Sequence, residues 1–469
     1  MTQILFGQSY FLRFDPKLWD AMQPYPPLGT LYAASYLRRR GYEVALFDAM
    51  LADSEEEWGA ALNSHQPEYA ILYEDNFNYL SKMCLLRMRE AAFKMISMAK
   101  ARGCVVITGG ADATDHSKLY LDNGADYVLL GEGEETLGEL MDSLTGRSQT
   151  APELIIGLTS RKTPQPSRRP DIRLLDDLPF PAWELVDVEK YRRIWIERHG
   201  YYSMNMVTTR GCPYHCNWCA KPIWGQRYNS RSPENVAAEL NWLKETYHPD
   251  HIWFADDILG LKPGWIEKFA TLVKASGASV PFKCLQRADL VTEKTAAALA
   301  DAGCRTVWLG AESGSQKILD AMDKGDRVDD IYGATRRLQK HRIEVGFFLQ
   351  FGYPGEDWDD IQLTLQMVRD CMPDDIGISV SYPLPGTKFF ERVKIQLGEK
   401  QNWIDSQDLA MLYHGPYPTE FYRVLHTRVH HEFRLRRAWR TRNLSRLLRA
   451  PYHLLGIARS DLRLRRMNH

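Results

Sequence analysis

No apolar run in this chain approaches the roughly twenty residues that a membrane-spanning helix needs. The N-terminal stretch MTQILFGQSYFLRFDPKLWD lacks a basic start, an apolar core and a small-residue cleavage site, so no secretory route is expected. Surplus charge is missing too. With 59 basic and 60 acidic side chains the formal charge is -1, and no global field draws the chain to nucleic acid or to a membrane. A G-x-G-x-x-G loop followed by a ribose-binding acid is absent, which argues against NAD. Cysteine is sparse, at 8 residues. Of these, Cys84, Cys104, Cys284, Cys304 and Cys371 lie scattered in strand-like or helix-like stretches and read as small buried hydrophobes. The expectation is a cytoplasmic protein in a reducing compartment.

The remaining cysteines stand together in TTRGCPYHCNWC, Thr208 to Cys219, where Cys212, Cys216 and Cys219 form C-x3-C-x2-C. Gly211 and Pro213 bend the backbone, so three thiolates can wrap one corner of a cubane and leave its fourth metal without a protein ligand. Zinc with His215 as fourth ligand is the alternative, but its spacings fit no usual finger. With Trp218 just before the last cysteine and a strand-like run from Ser203 to Thr208, the stretch resembles the signature of the radical S-adenosylmethionine (SAM) superfamily. The resemblance implies a 4Fe-4S cluster on these three cysteines that binds SAM at its unique iron and cleaves it reductively to a 5'-deoxyadenosyl radical.

At 469 residues, 44% hydrophobic and 25% charged, the chain has the size of two or three domains. Residues 1–145 alternate short apolar runs with amphipathic stretches, which predicts a doubly wound parallel sheet whose ligands sit at the carboxyl ends of its strands. Polar and glycine-rich segments fall at those ends: Tyr25-Pro26-Pro27-Leu28-Gly29, Asp48, Glu74-Asp75, Gly109-Gly110 and Gly131-Glu132-Gly133-Glu134. Together they resemble the Rossmann-like cobalamin-binding domain found ahead of radical SAM domains. That implies cobalamin contacts from Pro27, Leu28, Gly29, Asp48, Gly109, Gly110, Gly131, Glu132, Gly133 and Glu134. The copy departs from the usual pattern at Gly109-Gly110-Ala111-Asp112 and has no D-x-H-x-x-G motif, so no histidine from that motif is expected on the cobalt. A Rossmann-like domain that has lost its cofactor, or binds substrate instead, is the alternative.

Residues 146–199, rich in proline, serine and charge, read as a linker, with a small hairpin at Leu154 to Leu158 and aromatics of Asp177 to Trp183 packed on a neighbour. From 200 to 390 six strand-helix repeats predict a partial (β/α)6 barrel. Its strand ends carry Asp256, Arg287, Glu312, Ser313 and the Gly352-Tyr353-Pro354-Gly355-Glu356 turn. By resemblance Arg287, Glu312 and Ser313 would meet the amino-acid and ribose parts of SAM, Gly352, Pro354 and Gly355 the adenine, and Asp256 the methionine end. Each could instead be a helix cap or a turn residue.

Residues 391–469 form a basic helical region in which thirteen arginines after Phe421 face only Glu432 and Asp461. A solvated or acid-paired helical cap is the first reading, a surface for anionic membrane or a lipid-like substrate the second, and nucleic acid the third, for want of a binding module. Over 1–390 the chain resembles the cobalamin-dependent radical SAM enzymes, the group that includes an anaerobic magnesium-protoporphyrin monomethyl ester cyclase and radical SAM methyltransferases. The resemblance implies three cofactors, a 4Fe-4S cluster, SAM and cobalamin, with a small-molecule or lipid-like substrate and a reducing partner such as flavodoxin or ferredoxin. Methylation of an unactivated carbon, oxidative cyclisation of a tetrapyrrole or related ring, and a non-catalytic cobalamin or iron-sulfur sensor are the readings that follow.

Overall fold

The computed structural model describes residues 3–78, 86–162, 166–221, 223–397, 409–442 and 444–467. Cys84 lies outside them, and Cys104, Cys284, Cys304 and Cys371 are buried as free thiols. The first sheet consists of β1 (Ile4–Gly7), β2 (Val44–Leu46), β3 (Tyr69–Tyr73), β4 (Val105–Gly109), β5 (Tyr127–Leu129) and β6 (Leu158–Thr159) in the order β2-β1-β3-β4-β5-β6. The first five are parallel, and β6 pairs antiparallel with β5. The expected hairpin at Leu154 to Leu158 is instead a short 3-10 turn, Pro152–Leu154, leading into that edge strand. Apolar residues cover both faces of the sheet, as continuous apolar strands require.

The second sheet is wholly parallel. It contains β7 (Ser203–Met206), β10 (His251–Phe254), β11 (Phe282–Gln286), β12 (Cys304–Glu312), β13 (Glu344–Phe351) and β14 (Asp375–Val380), ordered β14-β13-β12-β11-β10-β7. Helices between the strands cover one face, giving an open (β/α)6 half-barrel. Local chemistry sets their starts. Ser232 accepts from the Asn235 N–H ahead of helix Pro233–Tyr247, and Asp357 and Asp360 form a reciprocal box at Trp358–Cys371.

The region expected as a linker is more ordered than its composition suggests. It contains a helix, Val188–His199, whose Tyr191 and Trp195 are fully buried, and Trp183 is buried beside it. The polar outer positions of this helix diluted its period in the sequence, whereas its apolar side fills the seam between the sheets. Trp195 Nε1 donates to the Pro24 carbonyl at 2.7 Å, and Phe180 stacks on Trp242. One apolar cluster therefore runs from Tyr10, Tyr25 and Phe77 at the end of the first sheet into the second. Among the described residues no helix is long and apolar enough to cross a membrane.

Candidate functional site

The cysteine loop is pinned at both ends. At its start, β8 (Thr209–Arg210) pairs antiparallel with β9 (Asn229–Ser230). Asp256, at the end of β10, accepts from the Thr208 and Thr209 N–H groups, both at 2.7 Å, and from their hydroxyls at 3.0 and 2.9 Å. Burial raises the Asp256 carboxyl to about 6 against these bonds. Both oxygens thus accept from the protein, and Asp256 organises the start of the loop. Gly211 has φ +79, and a Cβ there would collide with the Arg227 carbonyl, so only glycine makes the bend into Cys212.

At the far end Asn217, which the sequence reading passed over, does the holding. Its N–H donates to the Met322 carbonyl at 3.0 Å and its side-chain amide to the Ala321 carbonyl at 2.8 Å. Its Oδ1 accepts from the Tyr353 hydroxyl at 2.7 Å, and its own carbonyl from the Phe389 N–H at 3.0 Å. Between these anchors Cys212, Cys216 and Cys219 are free and part-exposed, whereas His215 is exposed. Burial, with Asp257 nearby, pushes the Cys219 thiol up to about 12, and Lys221 opposes the shift. Among the described residues no three histidine, cysteine or acidic side chains converge on a single metal ion. A cubane asks for something else, because each thiolate binds a different iron. Three thiols on one bent, anchored loop fit that demand.

The other half-barrel candidates stand around this loop. The Arg287 guanidinium lies 3.5 Å over the Tyr214 ring, inside the loop, and pairs with Asp289 at 3.1 Å and with Asp326. Glu312 adopts a left-handed backbone, φ 55, unusual for a residue with a side chain, and its carboxylate meets buried Lys324 at 3.2 Å. Ser313 shares a 3.1 Å hydrogen bond with Thr364 and accepts from the Ser315 N–H, so its hydroxyl serves the turn. The Gly352 N–H donates to Glu356 at 2.6 Å. Burial raises the Glu356 carboxyl to about 8, which keeps it neutral near pH 7. Pro354 is half-buried and Gly355 exposed.

At the carboxyl edge of the first sheet the expected residues divide. Gly29 N–H donates to Asp75 at 2.9 Å, with Pro27 capping and Leu28 opening the buried helix Leu28–Arg39. Gly109 packs against Leu129, and a Cβ on Gly110, φ +139, would lie 2.7 Å from Glu74. Gly131, φ +79, turns under Arg168, and Gly133 N–H donates to Tyr73 at 3.3 Å. The acids, however, carry protein contacts. Asp48 accepts from the Tyr191 hydroxyl at 2.6 Å, and Glu132 and Glu134 both pair with buried Arg210, at 2.6 and 2.7 Å. These three carboxylates tie the first sheet to the helix Val188–His199 and to the strand entering the cysteine loop, which only long-range pairing reveals. Buried polar atoms without a partner among the described residues remain at this edge: Gln8 Nε2, Asn76 Oδ1 and Thr108 Oγ1. Such atoms suit a corrin ring fringed with amides.

Two family models meet on this chain: the radical SAM superfamily matches residues 206–368, and the B12 binding domain matches residues 20–141. The chain belongs to the cobalamin-dependent radical SAM enzymes. Its cofactors are those of the family, a 4Fe-4S cluster, SAM and cobalamin. It is similar to an uncharacterised methyltransferase of Pyrococcus horikoshii, 27% identical over 380 residues and covering 78% of each chain. It is also similar to hopanoid C-3 methylase of Methylococcus capsulatus, 26% identical across 84% of this chain and 74% of the relative. The anaerobic magnesium-protoporphyrin IX monomethyl ester cyclase of Synechocystis sp. is 24% identical across 84% and 78%. In fold the chain resembles the radical SAM methyltransferase TsrM of Kitasatospora setae, TM-score 0.70 at 18% identity over 86% of this chain and 77% of that one.

Proposed function

We propose that this enzyme methylates an unactivated carbon of its substrate, with 1–145 as the cobalamin-binding domain and 200–390 as the radical SAM domain. The observation that carries the reading is the Arg210 bridge, which joins the carboxyl edge of the first sheet to the start of the thiol loop. A methyl donor held by one domain and a radical initiator held by the other are thereby kept side by side. Cys212, Cys216 and Cys219 would hold the cluster, and Arg287, Glu312 and the Gly352–Glu356 turn would hold SAM. When bound, these groups supply an electron for SAM cleavage and a methyl group for transfer. Arg287 offers a cation for a carboxylate and Glu312 an anion for an ammonium, and the anchored loop keeps their distance fixed. Methylases among the relatives support the same outcome.

The test is anaerobic incubation with SAM, reductant and methylcobalamin. Methyl transfer yields both 5'-deoxyadenosine and S-adenosylhomocysteine. 5'-Deoxyadenosine without S-adenosylhomocysteine would favour the oxidative cyclase reading, to which the Synechocystis relative points. Formation of neither would leave the sensor. A small protein such as flavodoxin or ferredoxin would supply the electron.

The C-terminal helices support a peripheral contact with an anionic membrane, which suits a lipid-like substrate. Helix Ala450–Met467 buries His453, Ser460 and Leu464. Its opposite side sets out Pro451, Leu455, Ala458 and Leu462 at i, i+4, i+7 and i+11, with Leu455 50% and Leu462 55% exposed. Leu448 and Trp439 are exposed as well, at 84% and 65%. Arg459, Arg465 and Arg466 flank that apolar side and make no ion pair among the described residues. Wild-type protein should pellet with phosphatidylglycerol vesicles and not with phosphatidylcholine vesicles, and Leu455→Glu with Leu462→Glu should remove most of that binding. Equal pelleting of the double variant would refute the contact.

A further inference from the structure

Strand alternation on the second sheet separates a core face from a concave face. Phe282 and Cys284 of β11, Val307 and Leu309 of β12, and Val345 and Phe347 of β13 lie under the helices. The alternate residues Lys283, Trp308 and Phe348 therefore point the other way, into the half-barrel. Trp308 and Phe348 stack there with ring centroids 4.7 Å apart and planes at 28°, and Phe348 is still 39% exposed. Gly346, paired with Trp308 across the ladder, has no side chain where any Cβ would strike the indole. The indole lies flat because of that glycine. A glycine that weakens a central strand is explained by the platform it allows.

Lys283 stands one strand over. Its Nζ is 4.4 Å from the Trp253 ring centroid and 5.7 Å from that of Tyr25, which reaches in from the first sheet. Among the described residues it has no carboxylate and no hydrogen-bond acceptor, although its ammonium is deep enough for burial to lower its pKa to about 8. Its polar surroundings supply no counter-charge. Ser203 bonds the Tyr25 hydroxyl at 2.9 Å and His251 Nδ1 at 2.9 Å. Burial, and then the Lys283 charge, hold His251 at about 3, hence neutral, and burial keeps the Tyr25 phenol protonated. A crowded ammonium is costly without an anion, and aromatic faces offset only part of that cost.

We propose that the concave face around Trp308 and Phe348 is the seat of the substrate's body and that Lys283 takes its anionic group. The substrate is then a flat, apolar molecule carrying one carboxylate or an equivalent anion. This rests on the half-barrel being the reaction chamber of the enzyme proposed above. The test needs no turnover, so its failure is separable from failure of methyl transfer, which the product assay reads.

Reconstituted holoenzyme, without reductant, is titrated calorimetrically with 2-naphthoate and with its neutral analogue 2-naphthamide. The wild type should bind the naphthoate at least about tenfold more tightly, a difference of about 1.4 kcal/mol. Lys283→Met should bring the two to near parity while retaining naphthamide binding, and Lys283→Arg should keep the preference. Trp308→Ala should weaken both probes alike. Cluster absorbance and cobalamin content of each variant check that it is folded. Equal affinities in the wild type, no binding of either probe, or a preference that survives Lys283→Met would overturn the assignment. Should Lys283→Met fail to fold, the wild-type pair and Lys283→Arg still decide.

Discussion

Cys216→Ala abolishes the iron-sulfur absorbance of the reconstituted protein and brings 5'-deoxyadenosine formation down to that of protein-free controls, while cobalamin stays bound. A cubane on three thiolates has no spare protein ligand to lose. The variant keeps its fold because the loop is anchored outside the cysteines, by Asp256 at Thr208 and Thr209 and by Asn217 at Ala321, Met322 and Tyr353. Cobalamin is retained because its expected contacts lie on the first sheet. Anaerobic visible spectra and chromatographic product analysis make the measurement. Cys371→Ala, altering a buried thiol at the end of the helix Trp358–Cys371, serves as the control that keeps both signals. A cluster that survives Cys216→Ala would mean that another residue supplies the third ligand.

The second large effect is expected at Arg210. Its guanidinium is buried with Glu132 and Glu134, and it lies 5.5 Å from the Tyr32 ring and 5.6 Å from that of Phe77. Glu132 also accepts from Trp224 Nε1 at 3.0 Å. Removing the cation of such a group strands two buried carboxylates, which costs about 3–5 kcal/mol. For domains of this size that lowers Tm by roughly 10 °C. Arg210→Met should therefore melt well below the wild type and lose cobalamin and cluster together, because the bridge joins both sites.

Two further measurements separate charge stranding from lost packing. Adding Glu132→Gln and Glu134→Gln to Arg210→Met should recover most of the Tm. The deficit of Arg210→Met should also shrink as pH falls, since burial already holds the Glu132 carboxyl above its usual range and a protonated acid needs no cation. A deficit that stays constant from alkaline to acid pH would rule out the charge explanation.

The alternation of apolar runs and amphipathic stretches was enough to predict both sheets, and the strands of the first, buried on both faces, read as continuous apolar segments. Ile4–Gly7 and Tyr69–Tyr73 are such segments, and they form β1 and β3. Helix Val188–His199 did not show itself, because Glu189, Arg192, Arg193, Glu197 and Arg198 spread charge around most of its circumference. Its burial depends on what the seam between the sheets presents to Tyr191 and Trp195. The acids tell a similar story. Asp48, Glu132, Glu134 and Asp256 stand at strand ends, where ligands bind, and the sequence cannot distinguish a carboxylate that faces a ligand from one that faces Tyr191, Arg210 or a pair of threonines. Lys324 and Asn217 carried no motif of their own.

By itself the sequence determined the chemistry on offer: the spacing of three thiols, the glycine that bends their loop and the two strand-helix alternations that frame it. These are local, since spacing and backbone freedom are fixed by neighbours along the chain. Only the tertiary structure decided which charges are paired inside the protein. Arg210 and Lys283 look alike as residues, yet one meets two carboxylates from 76 and 78 positions away and the other meets none among the described residues, because pairing over such separations is set by how the sheets pack.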